Sequence, residues 1–227
     1  MADQLPPITV HQFGQEREPI VQIDAFSGMV DALRQRAMEA DWQPGGAAYP
    51  GIRAWCEPDY LDRRRDLVFS ALQNVFGFTR GVQLDACTFS LVTTPPARLT
   101  PIQRIPHYDN AAGELIAVMH YLQGPQSGGT AFYRHRRTSF ETITPSREAA
   151  YGAAQARDAA EHGDPPAAYF HGDDPRYELI GEVEAQPDRF IMYRGRALHS
   201  GVIPADQPLA DDPATGRLTI NMFLRGR

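Results

Sequence analysis

The 227-residue chain contains no lysine, so all 22 of its basic side chains are arginines. Together with 28 acidic residues they give a formal net charge of −6. This balance argues against nucleic acid or an anionic membrane as the partner, because both require a basic surface. Cysteine is scarce as well. Cys56 and Cys87 show neither CxxC nor CxxH spacing, which excludes a disulfide framework and a thiolate zinc site from our expectations.

Long hydrophobic runs are also missing from the sequence. No stretch reaches 18 consecutive apolar residues, and residues 1–20 lack both the basic and the apolar segment of a signal peptide. We therefore expect a cytoplasmic protein that does not enter a membrane. Internal repeats and low-complexity segments are absent too, which favours one domain over residues 1–227.

Two amphipathic segments predict helices in the first third of the chain. Residues 27–41 place apolar side chains at helical spacing behind Ser27 as the expected cap. Residues 60–76 do the same after Asp59 and stop at Gly77. From these patterns we predict that residues 1–80 form an N-terminal helical support region.

From residue 82 onward the apolar pattern changes to strand-like runs. These runs, separated by Gly and Pro, are VQLDACTFSLV, ELIAVMHYLQ, GTAFYRH, RYELIGEVE, RFIMYRG and GRLTINMFLRG. Six short strands with turn signals between them favour an antiparallel sandwich or barrel. An Ala-rich helix, capped by Ser146 and ended by Gly163, predicts a helical insertion at about 139–176, either a lid or a solvated surface element. The predicted class is mainly β with flanking helices (α+β), with the β-core over residues 81–227.

Three polar side chains in two separate segments suggest a metal site. In RIPHYDN, His107 and Asp109 are two residues apart, so an extended chain places both on one side. In FIMYRGRALHSGVIP, His199 follows an apolar strand and a glycine-containing turn. Two histidines and one carboxylate are the ligand set of non-haem Fe(II) sites that leave positions open for other molecules.

The last strand-like segment carries a polar face. In GRLTINMF, Arg217, Thr219 and Asn221 alternate with apolar residues, so all three lie on one face of a strand. A guanidinium binds a planar carboxylate through two parallel hydrogen bonds. The sequence therefore predicts a site for iron together with a dicarboxylate.

The order H-x-D, H, R-x-T resembles that of the Fe(II)/2-oxoglutarate-dependent oxygenase superfamily, whose core is a double-stranded β-helix of jelly-roll or cupin type. The segment MHYLQGPQSGGTAFY is similar to the prolyl-4-hydroxylase-like branch, in which a strand ending in Tyr-Leu leads to a Gly-Gly turn. The matching positions are Tyr121, Leu122, Gly128, Gly129, Thr130 and Phe132. Stretches such as IQRIPH, GGTAFYRHR and YRGRALHSG also resemble a bacterial family of unknown function. The resemblance covers residues 84–227.

The resemblance implies a role for each of these residues. His107, Asp109 and His199 would bind Fe(II), and Arg217 with Thr219 would hold the far carboxylate of 2-oxoglutarate. Members of the superfamily use lysine or arginine for that carboxylate, and this chain has only arginine.

A further co-substrate contact would come from Gln103, which has the strand parity of His107. The tyrosine that often assists co-substrate binding in the prolyl-hydroxylase-like branch has no counterpart in CTFSLV.

The implied activity is that of a dioxygenase that uses Fe(II), 2-oxoglutarate and dioxygen. It would hydroxylate a small molecule or a peptide or protein side chain and release succinate and CO2. Two alternatives stay open: a cupin-like metal- or ligand-binding barrel without turnover, in a sensory or regulatory role, and a structural barrel with a vestigial site. Exposed strand edges make a homodimer a further expectation.

Other conspicuous residues have ordinary interpretations. His120 shares the parity of apolar neighbours and is predicted to be a hydrogen-bonded core histidine. The RHRR cluster at 134–137 is either a solvated loop or a binding surface for an anionic substrate. Trp42 and Trp55 are expected to pack the N-terminal region, with a substrate-lining loop as the alternative.

Overall fold

A computed structural model describes residues 5–227 of the protein. Within that range the strands are β1 (Ile8–Gln12), β2 (Pro19–Ile23), β3 (Gln43–Pro44), β4 (Gly51–Trp55), β5 (Val82–Val92), β6 (Leu115–Tyr121), β7 (Gly129–His135), β8 (Tyr177–Glu184), β9 (Arg189–Arg194), β10 (His199–Val202) and β11 (Leu218–Gly226). The α-helices are α1 (Val30–Met38), α2 (Arg65–Asn74) and α3 (Glu148–His162). Short 3-10 helices span Pro58–Arg64, Pro96–Arg98, Pro101–Arg104 and Pro125–Ser127.

The strands form two sheets. The large sheet has the order β1-β2-β9-β6-β11-β5-β4-β3, and the small sheet has the order β10-β7-β8. The strand pairs in both sheets are antiparallel. The predicted class, mainly β with flanking helices, is confirmed, and the flanking helices are few.

The large sheet has two different faces, which we call the outer face and the inner face. The outer face is apolar, and helices α1 and α2 pack against it through buried residues such as Leu33, Leu72 and Ile220. The inner face packs against the small sheet through residues such as Tyr121 and Phe132. Period-2 alternation along each strand assigns successive side chains to opposite faces.

A row of four side chains runs across the strands on the inner face. Arg53 on β4 is paired with Ser90 on β5, Ser90 with Thr219 on β11, and Thr219 with Tyr121 on β6. Residues directly opposite in an antiparallel pair share a face, so these four side chains form one line across the sheet. Polar groups from the N-terminal third therefore reach the face that carries Thr219.

The N-terminal region differs from the helical support that the sequence predicts. It contributes β1 to β4 to the large sheet as well as two α-helices. Helix α1 is shorter than residues 27–41, and Ser27 lies buried before it, donating its hydroxyl to Asp188 at 2.6 Å. Asp59 does not cap α2 either, because it lies in a 3-10 turn and pairs with Arg36 at 2.6 Å.

The insertion between β7 and β8 carries α3, close to where the sequence places it. Gly163 ends the helix with a φ of +70°, as predicted, but Ser146 bonds Thr144 and provides no cap.

The RHRR cluster at residues 134–137 is neither a free loop nor an open anion site. Arg134 pairs with Glu141 and Glu178, Arg136 with Asp173, and Arg137 with Asp158 and Glu161, while His135 Nε2 bonds Asp158 at 2.7 Å.

His120 is the core histidine that its parity predicts. Its ring is fully buried on the outer face and bonds Asp188 Oδ1 through Nε2 at 2.9 Å. Trp42 packs against the same core and donates Nε1–H to the Ala37 carbonyl, whereas Trp55 is 62% exposed. Among residues 5–227 no helix is long and apolar enough to cross a membrane.

Candidate metal centre

The two histidines and the aspartate come together at the edge of the small sheet, facing the large one. His107 and His199 pair as an isolated antiparallel bridge, exchanging backbone hydrogen bonds of 2.9 and 2.8 Å. The Asp109 amide then donates to the Gly195 carbonyl at 2.7 Å, which turns the carboxylate toward both rings. Backbone pairing thus sets the relative positions of the three side chains, which the structure brings together as the sequence predicts.

The three donor atoms are close enough to share one ion. His107 Nε2 lies 3.9 Å from Asp109 Oδ1, and His199 Nε2 lies 3.7 Å from Asp109 Oδ2. Two atoms that each bond one ion at about 2.1 Å are at most about 4.2 Å apart. Ligand atoms of all three residues lie within 4.8 Å of one another, so the three side chains could together hold one ion.

The hydrogen bonds of the site leave the donor atoms free. His199 Nδ1 donates to the Ala197 carbonyl at 2.9 Å, which fixes the ring tautomer and leaves Nε2 with a free lone pair. Asp109 Oδ2 is buried and makes no hydrogen bond to any residue of the described chain. A buried carboxylate oxygen without a partner is costly, so this atom fits a metal ligand.

The protonation states suit metal binding. Loss of hydration lowers the pKa of both histidines to about 4. His199 is buried, whereas the His107 side chain is half-exposed, and at His107 the neighbouring His199 ring adds to the lowering of the pKa. Both rings are therefore neutral at pH 7. Burial raises the pKa of Asp109 to about 6, against the opposing effects of His107 and Arg53. A cation between the three groups would remove the cost of the buried negative charge.

Arg217 lies at the start of β11, is 3% exposed and is held by a glycine turn. Its Nε donates to the Ser127 carbonyl at 2.8 Å and its Nη2 to the Gly129 carbonyl at 2.9 Å. Gly128 has a φ of +87°, and a Cβ there would lie 1.9 Å from the Val202 carbonyl oxygen. Glycine is therefore required at position 128 for the close approach of the turn to Val202, and the carbonyls on either side of it orient Arg217. Since a guanidinium has five N–H groups, some are left for a ligand.

The other two predicted co-substrate residues differ from each other. Thr219 is buried on the inner face and donates its hydroxyl to Asn221 Oδ1 at 2.8 Å, leaving oxygen lone pairs free. Gln103 instead closes a capping box, accepting from the Thr100 amide and donating to the Ala47 carbonyl. Both polar atoms of Gln103 already have protein partners, so we leave Gln103 out of the site.

The sequence reasoning missed two residues that precede the predicted core. The Tyr49 hydroxyl is buried without a hydrogen-bond partner of good geometry, and so is Arg53 Nε. Burial raises the pKa of Tyr49, while the charges of Arg217 and Arg53 act against the rise. The pKa of Tyr193 is raised well above its ordinary value by burial and by Asp109, although Arg217 lowers it. Tyr193 thus interacts electrostatically with both Asp109 and Arg217, so the metal-ligand group and Arg217 belong to the same site.

The missed residues carried a weak signal. Tyr49 lies in the Gly/Pro-rich segment QPGGAAYPG and Arg53 in the short run GIRAW, neither of which has a recognisable motif. Only the pairing of β4 with β5 reveals that Arg53 faces Ser90 and Thr219.

A second group of ligand-type side chains does not resemble an open site. Asp158, Glu161 and His162 lie near one another on α3. Arg137, however, pairs with both carboxylates, and His135 binds Asp158 as well. The charges of this group are already compensated by protein.

The fold is shared with proteins of known structure. A crystal structure of HygX from Streptomyces hygroscopicus, with nickel, 2-oxoglutarate and hygromycin B bound, is similar at 12% identity and a TM-score of 0.52, over 93% of this chain and 84% of that chain. The non-haem α-ketoglutarate-dependent epimerase SnoN from nogalamycin biosynthesis is similar at 13% identity and a TM-score of 0.52, over 93% and 79%. The protein therefore has the fold of the Fe/2-oxoglutarate-dependent oxygenases, and the double-stranded β-helix prediction is confirmed.

The family is shown by a match over nearly the whole length. The chain belongs to DUF6445, a family of unknown function, whose model covers residues 4–224. No match is found among curated proteins.

Proposed function

We propose that this protein is an Fe(II)- and 2-oxoglutarate-dependent dioxygenase of the hydroxylase type. The observation that carries the proposal is the convergence of His107, Asp109 and His199 around the unpartnered Asp109 Oδ2, on a fold shared with such enzymes. Two histidines and a carboxylate are the donor set expected for Fe(II) with open positions.

Each residue of the site has a distinct task in this proposal. His107, Asp109 and His199 hold the metal, and the His199–Ala197 hydrogen bond keeps Nε2 directed at it. Arg217 binds the far carboxylate of 2-oxoglutarate through N–H groups that Ser127 and Gly129 do not use. The Tyr49 hydroxyl, buried and within electrostatic reach of Arg217, donates a second hydrogen bond to that carboxylate.

The surrounding protein supports the reaction by orientation and by exclusion of water. Bound Fe(II) would supply the activation of dioxygen and the oxidative decarboxylation of 2-oxoglutarate to succinate and CO2. The buried Phe132 and Tyr193 rings lie beside His199, with ring centroids 6.5 and 4.8 Å away, and form an apolar wall on that side. The His107 side chain is half-exposed and marks the side from which substrate enters.

The primary substrate is a small molecule or a peptide or protein side chain. The net charge of −6 disfavours nucleic acid.

Co-substrate turnover tests the proposal. The Fe(II)-loaded protein is incubated with 2-oxoglutarate, oxygen and a metabolite extract, and succinate is quantified together with products heavier by one oxygen. We expect succinate above the level given by His199→Ala. Metal and 2-oxoglutarate binding without succinate under any substrate would instead indicate a cupin-like binding module, and absence of stoichiometric metal would indicate a vestigial site.

A further inference from the structure

Arg53 is an arginine of the inner face for which the proposed chemistry has no task. Within residues 5–227 its guanidinium makes no hydrogen bond and no ion pair, and its Nε is buried. The guanidinium lies over the Tyr49 ring, whose centroid is 4.1 Å from the guanidinium carbon. Loss of hydration lowers the pKa of Arg53, whereas Tyr49 and Asp109 raise it. The side chain is half-buried, and its buried Nε–H has no acceptor, which is costly. This edge of the guanidinium is therefore suited to an anionic partner.

The stacking on Tyr49 determines which part of Arg53 is available. An aromatic ring occupies one face of the planar guanidinium and leaves the N–H edge free. Nε–H and one Nη–H on that edge form a fork that matches the two oxygens of an oxyanion. Because Arg53 stands opposite Ser90, and Ser90 opposite Thr219, this fork lies on the same face as the predicted co-substrate residues.

The charges of the proposed complex leave Arg53 without an anionic partner. With Fe(II) and 2-oxoglutarate bound, Asp109 and one carboxylate of the co-substrate would balance the charge of the metal, and the other carboxylate would balance Arg217. Both carboxylates of 2-oxoglutarate are then in use. Arg53 remains as an uncompensated positive charge within electrostatic reach of Asp109.

We propose that Arg53, oriented by the Tyr49 ring, binds an oxyanion of the primary substrate, a carboxylate or a phosphate, beside the metal centre. This inference rests on the proposed function and narrows it to substrates that carry such a group. Trp55, two residues further along β4 and 62% exposed, shares the face of Arg53 and lies where the remainder of such a substrate would pass.

The test uses the full chain loaded with Mn(II), which accepts the same nitrogen and oxygen ligands, and saturated with 2-oxoglutarate so that the Arg217 subsite is filled. The probes are butanoate, propyl phosphate and the neutral analogue butanamide. Their binding is measured by paramagnetic broadening of the probe methyl resonance, which also reports closeness to the metal. Saturation with 2-oxoglutarate is measured separately for each variant.

We expect wild type to bind at least one of the two oxyanions about tenfold more tightly than butanamide. Arg53→Gln should abolish this preference, and Arg53→Lys, which keeps the charge but loses the fork, should retain part of it. The exposed Arg80 provides the matched control, since Arg80→Gln changes the net charge equally and should keep the full preference. The probe that binds more tightly identifies the oxyanion.

Equal binding of oxyanions and butanamide to wild type, or an unchanged preference in Arg53→Gln, would overturn the oxyanion subsite and leave the proposed function intact. Failure of wild type to take up 2-oxoglutarate would overturn both. If Arg53→Gln does not fold, Arg53→Lys provides the test. An oxyanion preference equal to that of wild type in Arg53→Lys would contradict binding through the paired N–H groups of Arg53.

Discussion

A histidine–aspartate group lies on each side of the large sheet, and the two groups differ in how their polar atoms are satisfied. His120 and Asp188 lie against the outer face, whereas His107, His199 and Asp109 lie at the edge of the small sheet, opposite the inner face. On the outer face, Asp188 accepts hydrogen bonds from His120, from the Ser27 amide and hydroxyl, and from the Gly28 amide, all between 2.6 and 2.9 Å. On the inner side, Asp109 Oδ2 and Arg53 Nε are buried with no such partners, and the buried Tyr49 hydroxyl approaches Ser90 without the geometry of a hydrogen bond.

This difference separates a structural pair from a ligand site. Asp188 ties the chain before α1 to the large sheet, and every donor around it is part of the fold. Folded proteins rarely leave buried polar atoms unpaired. Three such atoms around one site therefore indicate that the site binds a ligand. The same residue types therefore serve stability on one face and binding on the other.

The largest expected effect is on stability, at Asp188. Asp188→Asn replaces a charged acceptor of several hydrogen bonds and presents an NH2 group to existing donors. We expect the free energy of unfolding to fall by about 3 kcal/mol or more, measured by urea denaturation. Folded Asp188→Asn protein should bind metal with the affinity of wild type. A large loss of metal affinity would contradict the claim that Asp188 has a structural role only.

Asp109→Asn should show the reverse behaviour. It removes the charged ligand, and we expect metal affinity to fall by at least about 100-fold, the upper end of losses seen when only an outer-shell partner is removed. The free energy of unfolding of the metal-free protein should stay the same or rise, because a buried unpaired charge is removed. Titration of Mn(II) and urea denaturation measure the two quantities. A clear loss of stability would show that Asp109 is structural.

Arg217→Gln tests the co-substrate half of the inner site. It removes a charge-assisted pair worth about 1.5–3 kcal/mol, so the dissociation constant for 2-oxoglutarate should rise by about 10- to 100-fold. Metal affinity in the absence of 2-oxoglutarate should not change. Calorimetric titration of the Mn(II)-loaded variant provides the measurement, and an unchanged 2-oxoglutarate affinity would remove Arg217 from the site.

The smallest effect concerns pH. Burial alone would raise the pKa of Asp188, but hydrogen bonds from His120, Ser27 and Gly28 lower it from 3.8 to about 2. A lowered carboxyl pKa adds stability that is present above the unfolded pKa and is lost as pH falls toward the folded pKa. The stability difference between wild type and Asp188→Asn should therefore be constant from pH 7 to 5 and shrink below about pH 4. A difference that grows on acidification would contradict this assignment.

The sequence predicts the core of the site because its motifs are local or ordered. His107 and Asp109 are two residues apart, and His199 and Arg217 follow at the ends and starts of clear strands. Tyr49 and Arg53 could not be predicted in the same way, because their position depends on the long-range pairing of β4 with β5. Strand parity alone suggested Gln103, whereas a local capping box uses its side chain.

The fold shows the same limits. Strong alternation predicts the strands from β5 onward except the four-residue β10, whereas β1 to β4 are short and lie in a region where the helical pattern dominates. The predicted Ser27 cap was wrong because α1 begins only at Val30, with Met29 at the N-cap position. The Ser27 hydroxyl accepts from the Met29 amide at 3.0 Å and donates to Asp188, a contact 161 residues away along the chain. The cytoplasmic location and the homodimer stay predictions.

Anaerobic addition of Fe(II) and 2-oxoglutarate to the metal-free protein, followed by visible spectroscopy, tests most directly whether the inner site is an iron centre that takes up 2-oxoglutarate. We expect a weak charge-transfer band that saturates at one equivalent of each component in wild type and is absent in His107→Ala and His199→Ala. No band in wild type, together with wild-type metal affinity in both variants, would contradict the assignment of this site.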